Sequence, residues 1–94
     1  MQQDIPETSG FLGTYPNPCA GQVVIDFQLS HSANVRLCLY DINGKLRKIL
    51  LKRTWQEGYR WSKFNVSDLS GGVYICTLEI DDVQVDVQKI LVIK

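Results

Sequence analysis

A pair of adjacent glycines followed by an unbroken run of strand-forming residues constrains the fold of this chain more than any other feature. Gly71 and Gly72 let the backbone turn through positive φ, and the eight residues after them are mostly β-branched, aromatic or aliphatic. Alternate residues of this run share one face, which we predict to face the core. They are Tyr74, Cys76, Leu78 and Ile80. The opposite face also begins with apolar residues, so we expect this strand to lie inside a sheet.

The rest of the chain consists of short segments of the same kind, separated by turn signals. Residues 23–29 and 35–39 alternate apolar with mostly polar side chains, and Asn43-Gly44 predicts a tight hairpin after the second of them. The proline-rich stretch 16–18 excludes helix and central strand, so residues 11–15 should form a short edge strand. About seven strands without any helical period predict an all-β fold, an immunoglobulin-like antiparallel β-sandwich. A barrel of five or six strands is the alternative.

Three strands have an irregular apolar pattern, which predicts interruptions. The return strand of the hairpin should contain a bulge near residues 47–49. The apolar positions of the next strand slip between Trp61 and Phe64, which indicates a bulge or a strand end. In the last strand the apolar phase shifts near residues 88–89, where we expect a bulge or a change of sheet.

Composition excludes several functional classes. The chain has 94 residues and a formal net charge of zero, which argues against a nucleic acid partner because phosphate binding needs a cationic surplus. The sequence contains no apolar run long enough for a transmembrane segment, and its first residues do not resemble a signal peptide. The polar residues 2–10 look like the end of a linker. We therefore divide the chain into a linker, 1–10, and one domain, 11–94.

The reactive residue types form no recognisable catalytic or metal-binding pattern. The single histidine, His31, has no partner at dyad spacing, and the cysteines lack the spacing of a zinc site. Cys38 and Cys76 should point to opposite faces of the sheet, so we predict no disulfide between them. Cys19, in a loop, should be the most exposed thiol. We expect no enzyme activity and no cofactor, and we assign no catalytic, cofactor-binding or metal-binding residue.

Trp55, Tyr59 and Trp61 form the one suggestive aromatic group. Exposed side by side on a sandwich face, they could stack on sugar rings, which makes an accessory carbohydrate-binding module of a secreted enzyme the alternative function. Trp61 alternates with Arg60 and Ser62, however, and this pattern favours packing in the core.

Four short motifs, in order along the chain, resemble a known family. They are Tyr15-Pro16-Asn17-Pro18, Tyr40-Asp41-Ile42-Asn43-Gly44-Lys45, Gly72-Val73-Tyr74-Ile75 and Lys89-Ile90-Leu91-Val92-Ile93-Lys94. Together they resemble the C-terminal sorting domain, type A, of proteins exported by the type IX secretion system of one group of Gram-negative bacteria. The similarity spans residues 11–94. Family members often have an aromatic or apolar residue after the proline-rich motif, where this chain has Cys19.

This resemblance implies a non-catalytic sorting signal. Such domains are seven-stranded sandwiches that follow a larger cargo protein, which reaches the periplasm by its own signal peptide. The secretion machinery recognises the folded domain and carries the cargo to the outer-membrane surface or the extracellular space. A cell-surface sortase then removes the domain, so residues 2–10 would include or border the cleavage site.

The resemblance also assigns roles to particular residues. Lys89 to Lys94 would be the recognition strand, and Gly72 and Tyr74 would shape its neighbour in the sheet. Unpaired backbone groups on the edge of a terminal strand can add to a partner sheet, and the same edge could pair two copies of the chain in a homodimer.

Overall fold

Seven antiparallel strands in two facing sheets make up the computed structural model, which describes residues 5–94. The strands are β1 (Gly10–Tyr15), β2 (Gln22–Leu29), β3 (Ala33–Asp41), β4 (Leu46–Trp55), β5 (Gly58–Asn65), β6 (Gly72–Ile80) and β7 (Val83–Val92). Within residues 5–94 there is no helix. The predicted all-β, immunoglobulin-like sandwich of seven strands is confirmed.

The two sheets differ in size and order. The smaller sheet has the order β1-β2-β5, and the larger has the order β4-β3-β6-β7. The strand after the glycine pair, β6, lies between β3 and β7, as its two apolar faces predict. The strand before the proline-rich stretch, β1, lies at an edge, as predicted. The last strand, β7, forms one edge of the larger sheet.

The core lies between the inner faces of the sheets and follows the two-residue alternation of the sequence. Alternate residues of β2, β3 and β6 are buried, and they are joined by residues of β7 and of the loops. The fully buried members include Val23, Ile25, Phe27, Leu29, Leu37, Leu39, Cys76, Leu78, Val66 and Ile90. The predicted inner face of β6, from Tyr74 to Ile80, is confirmed.

The interruptions differ partly from the prediction. The pairing of β3 with β4 shifts register twice, skipping Leu50 and Arg47, so the predicted irregularity of β4 is confirmed. The pairing of β2 with β5 runs unbroken from Gln22 to Leu29, so the bulge or strand end predicted near Trp61 is wrong. The register of β6 and β7 shifts between Leu78 and Glu79 and leaves out Val85 of β7, earlier than the predicted bulge at residues 88–89.

The wrong prediction of an interruption in β5 arises from Trp61, because its side chain faces outward. Its exposed fraction is 66%, so the prediction that it packs in the core is wrong. Phe64, on the other face of the strand, packs against the core. The apolar phase slipped because both faces of a regular strand carry an aromatic residue.

The hairpin between β3 and β4 forms as its Asn-Gly pair predicts. Gly44 has a φ of 81°, and the Asp41 N–H donates to the carbonyl of Lys45 at 2.9 Å. The carboxylate of Asp41 also accepts hydrogen bonds from the backbone N–H groups of Asn43 and Lys45. Asp41 thus fixes the turn through its main chain and its side chain.

The described start of the chain leads directly into the first strand. β1 already begins at Gly10, and the hydroxyl of Ser9 accepts a hydrogen bond from the Ser30 N–H at 2.9 Å. Residues 1–4 of the linker lie outside the described residues. The boundary between linker and domain stays a prediction.

Candidate functional site

Residues 89–92 of the segment 89–94 pair with β6 and alternate between the core and solvent. Ile90 lies opposite Tyr74, and Val92 lies opposite Gly72. Ile90 and Val92 are fully buried, whereas Lys89, Leu91, Ile93 and Lys94 are exposed. The buried residues hold this segment in the sandwich, so its outward side chains form the part that a partner could contact.

The outer edge of β7 is covered at its C-terminal end by the proline-rich motif between β1 and β2. The side-chain amide of Asn17 donates to the carbonyl of Lys89 at 2.9 Å and accepts from the N–H of Leu91 at 3.0 Å. It therefore hydrogen-bonds to β7 as the backbone of another strand would. We call the Asn17 side chain and the backbone of Cys19 the edge clamp.

Cys19 continues the edge clamp with its backbone. Its N–H donates to the carbonyl of Leu91 at 2.9 Å, and its carbonyl accepts from the N–H of Ile93 at 2.8 Å, which makes a short parallel bridge. The edge clamp thus makes three hydrogen bonds to β7 and one to Ile93, the residue after it. The proline-rich motif and the C-terminal motif, far apart in sequence, form one structural unit.

The prediction that Cys19 is exposed is wrong, because its side chain fills a core position. The side chain is 1% exposed and belongs to the hydrophobic cluster, in the place where the family often has an aromatic or apolar residue. Burial raises the pKa of the Cys19 thiol. The backbone of Cys19 hydrogen-bonds to β7 while its sulfur packs inside, so the residue fixes the motif on both sides.

The glycine pair and Tyr74 shape the strand beside β7. Gly72 has a φ of +153°, which L-residues rarely adopt. A Cβ atom on Gly71 would lie 3.4 Å from Cγ of Lys94 and 3.5 Å from the carbonyl oxygen of Val92. Tyr74 is buried, and its hydroxyl donates to the carbonyl of Ser70 at 2.7 Å. The hydrogen bond of Tyr74 fixes the loop before β6, and the missing side chain of Gly71 lets this loop lie close to Val92 and Lys94.

The aromatic residues that could bind sugar do not all lie together. Trp55 is partly buried and packs edge-on against the core residue Phe27, with ring centroids 5.6 Å apart. The guanidinium carbon of Arg53 lies 4.4 Å from the centre of its ring. Tyr59 and Trp61 are exposed on the outer face of β5. The structure therefore brings two of the three predicted residues together and places Trp55 elsewhere.

The titratable residues of the described region form no reactive cluster. Residues 5–94 contain no group of three histidine, cysteine or acidic residues that could hold a metal ion. Cys19, Cys38 and Cys76 are all free and buried. Burial raises the pKa of Cys76 to about 12, which keeps this thiol protonated and poorly nucleophilic at neutral pH. The part of the chain that the structure describes has no helix of sufficient length and apolar character to span a membrane.

Residues 13–94 match the family described as the secretion system C-terminal sorting domain. The chain belongs to this family. No curated protein and no solved structure matches the chain. As a type IX sorting domain, it implies interaction with the type IX secretion machinery and with a cargo, and export to the cell surface or the extracellular space.

Alternation of side chains identified the main features of the sorting domain, but not the edge clamp. The sequence motifs named Asn17 and the segment 89–94 separately, and nothing in their spacing indicated that they touch. The sequence contains one indication of this contact, because Asn17 lies between two prolines, which have no backbone N–H to donate to a neighbouring strand. Such a segment hydrogen-bonds to a strand through a side chain.

Proposed function

We propose that the sorting domain is a non-catalytic signal that directs a larger cargo from the periplasm through the type IX machinery to the cell surface. There a sortase removes the domain by cutting within or beside residues 2–10. Membership of the sorting-domain family supports this proposal. The observation that carries it is the edge clamp, which holds the C-terminal motif in one defined shape that a partner can recognise.

Recognition then depends on the outward side chains of the segment 89–94. The edge clamp occupies the backbone groups of Leu91 on the free side of β7, so these groups are not available to an added strand. Lys89 and Leu91 project from the outer face, whereas Ile90 and Val92 are buried. A partner would contact a positive charge beside an apolar side chain.

An export assay tests this proposal. The sorting domain is fused behind a signal peptide and a reporter cargo and expressed in a bacterium that has a type IX system. We expect the unchanged fusion to place the reporter at the cell surface, and deletion of residues 90–94 to leave it in the periplasm. Because this deletion also removes the core residues Ile90 and Val92, it changes folding and recognition together.

A surface variant separates the two effects. Lys89→Ala combined with Leu91→Ser changes only exposed side chains and should fold, but it should leave the reporter in the periplasm. The matched control is Lys45→Ala combined with Ile42→Ser, an exposed lysine and an exposed apolar residue in the β3–β4 hairpin. The control should be exported normally. Normal export of the folded Lys89→Ala/Leu91→Ser variant would refute recognition through this face.

The terminus of the exported cargo tests the cleavage step. Mass spectrometry of the reporter released from the cell surface should find its C-terminus within or next to residues 2–10. A reporter that retains the whole sorting domain at the surface would contradict removal by a sortase, while leaving the sorting role intact.

A further inference from the structure

An open groove of about 400 Å³ lies on the outer face of the three-stranded sheet, on the opposite sheet from β7. Residues of all three strands line it: Leu12, Tyr15, Val24, Asp26, Tyr59, Arg60 and Trp61. Asp26 of the middle strand lies opposite Gly13 on one side and Trp61 on the other. Gly13 has no side chain, and Tyr15 of the same strand reaches the carboxylate of Asp26 with its hydroxyl.

Exposed aromatic rings form the walls of this groove. Tyr59 is 60% exposed and Trp61 is 66% exposed, and they are alternate residues on the outer face of β5. Alternate residues of a strand lie about 7 Å apart on one face, so the two rings are neighbours along β5. Tyr15 of β1, 49% exposed, supplies a third ring across the groove. Large aromatic side chains on this outer face expose apolar surface to water and lie outside the core.

One polar pair lies among these rings. The hydroxyl of Tyr15 donates to both carboxylate oxygens of Asp26 at 3.0 Å. These hydrogen bonds hold the carboxylate in place, and its remaining lone pairs can accept hydrogen bonds from a ligand. The side chain of Arg60 is engaged elsewhere, since it donates to the carbonyls of Gln56 and Glu57. The groove therefore offers a fixed acceptor between apolar rings.

We propose that this groove binds a neutral carbohydrate, with Trp61 and Tyr59 stacking on the apolar faces of sugar rings and Asp26 accepting hydrogen bonds from their hydroxyl groups. The volume lies in the range of about 300–1,000 Å³ that small-ligand sites occupy. Seven lining residues are fewer than the roughly 20–30 that a stable protein interface uses on each side. The carboxylate of Asp26 disfavours an anionic ligand. Two aromatic rings side by side on an open face can stack on sugar rings, whereas a single cation is bound by rings that surround it.

Nuclear magnetic resonance of the ¹⁵N-labelled chain tests this site, which does not depend on the sorting role. The probes are neutral hexasaccharides of glucose, mannose and xylose, a hexamer of galacturonic acid, and choline. The chain has two tryptophans, Trp55 and Trp61, and each gives its own indole N–H signal, so the two can be followed separately. A neutral hexasaccharide should shift the Trp61 indole signal, and the signal of Trp55, which packs against the core, should stay in place.

Variants assign the binding to the groove. Trp61→Ala should weaken binding of the neutral sugar by about tenfold or more, and Asp26→Asn should weaken it while keeping the rings in place. Ile42→Ala removes an exposed apolar side chain from the hairpin of the other sheet and should bind as the unchanged chain does. The proposal is overturned if no neutral hexasaccharide shifts Trp61 at millimolar concentration. It is equally overturned if choline or the anionic hexamer binds in place of the neutral sugars, or if Trp61→Ala has no effect.

Discussion

Replacing Asn17 tests whether the edge clamp stabilises β7. The side chain makes two hydrogen bonds to the strand, to the carbonyl of Lys89 and from the N–H of Leu91. Each such bond contributes about 0.5–1.5 kcal/mol net, and because both are solvent-exposed, water replaces part of what is lost. We therefore expect Asn17→Ala to lower the free energy of unfolding by about 1–2 kcal/mol. In a domain of this size, about 1 kcal/mol lowers the melting temperature by about 4–8 °C.

Urea unfolding followed by tryptophan fluorescence measures the global effect, and amide hydrogen exchange measures the local one. The Leu91 amide should exchange faster in Asn17→Ala, because it loses its acceptor. Gln56→Ala is the control, since Gln56 is an exposed residue between β4 and β5 whose side chain makes no hydrogen bond within residues 5–94. If Asn17→Ala unfolds at the same urea concentration as the control and the Leu91 amide stays protected, the clamp does not stabilise the strand.

An isosteric variant separates the two hydrogen bonds. Asn17→Asp keeps an acceptor for the Leu91 N–H but replaces the donor to Lys89 with a second oxygen, which faces a carbonyl. It should destabilise the chain although its shape is unchanged. If Asn17→Asp were as stable as the unchanged chain, the bond to Lys89 would contribute nothing, and the reasoning for half of the clamp would fail.

Two further predictions concern the backbone and the thiols. Gly72→Ala should destabilise the chain by about 1 kcal/mol or more, because the backbone there has a φ of +153°. Gly21→Ala is the control and should be nearly neutral, since its new Cβ also meets open space. Equal melting temperatures of the two variants would contradict this account. The pKa of Cys76 is about 12 in the folded chain and about 8.5–9 when unfolded, so its contribution to stability is full below pH 8 and declines as the pH rises towards 12. The decline between pH 7 and 9.5 should be about 1 kcal/mol for this group, and native Cys76 should resist thiol reagents over that range; rapid labelling of the folded chain would refute it.

Alternation was sufficient to predict most of the fold, because one face of each central strand is buried and a shift of one residue would expose it. This applies to β2, β3 and β6. It failed for Trp61, because the sequence does not distinguish an apolar residue exposed on the outer face from one that packs in the core. It also placed the interruption of β7 too late. Val87 and Leu91 continue one outer face of that strand, so their apolar character does not mark a change of side.

The candidate sites were only partly predictable for a related physical reason. A contact between Asn17 and the segment 89–94 depends on how the chain returns after seven strands, and periodicity describes only neighbours within a strand. Likewise, Tyr15 and Asp26 join Trp61 in the groove only because β1 and β5 both flank β2. Local pattern predicts strands and faces, whereas the groups that meet across strands depend on sheet order.

The edge clamp also decides between two ways of contacting β7. A homodimer through the C-terminal end of β7, or a strand added there by the secretion machinery, would need the backbone groups of Leu91 that the edge clamp occupies. Asn17→Ala frees one of them, so pairing through the edge predicts that this variant self-associates more than the unchanged chain in sedimentation experiments. Contact through the outer face predicts no such change, because Lys89 and Leu91 keep their exposed positions. A loss of about 1–2 kcal/mol leaves a domain of ordinary stability almost fully folded, so export of Asn17→Ala should then equal that of the unchanged fusion.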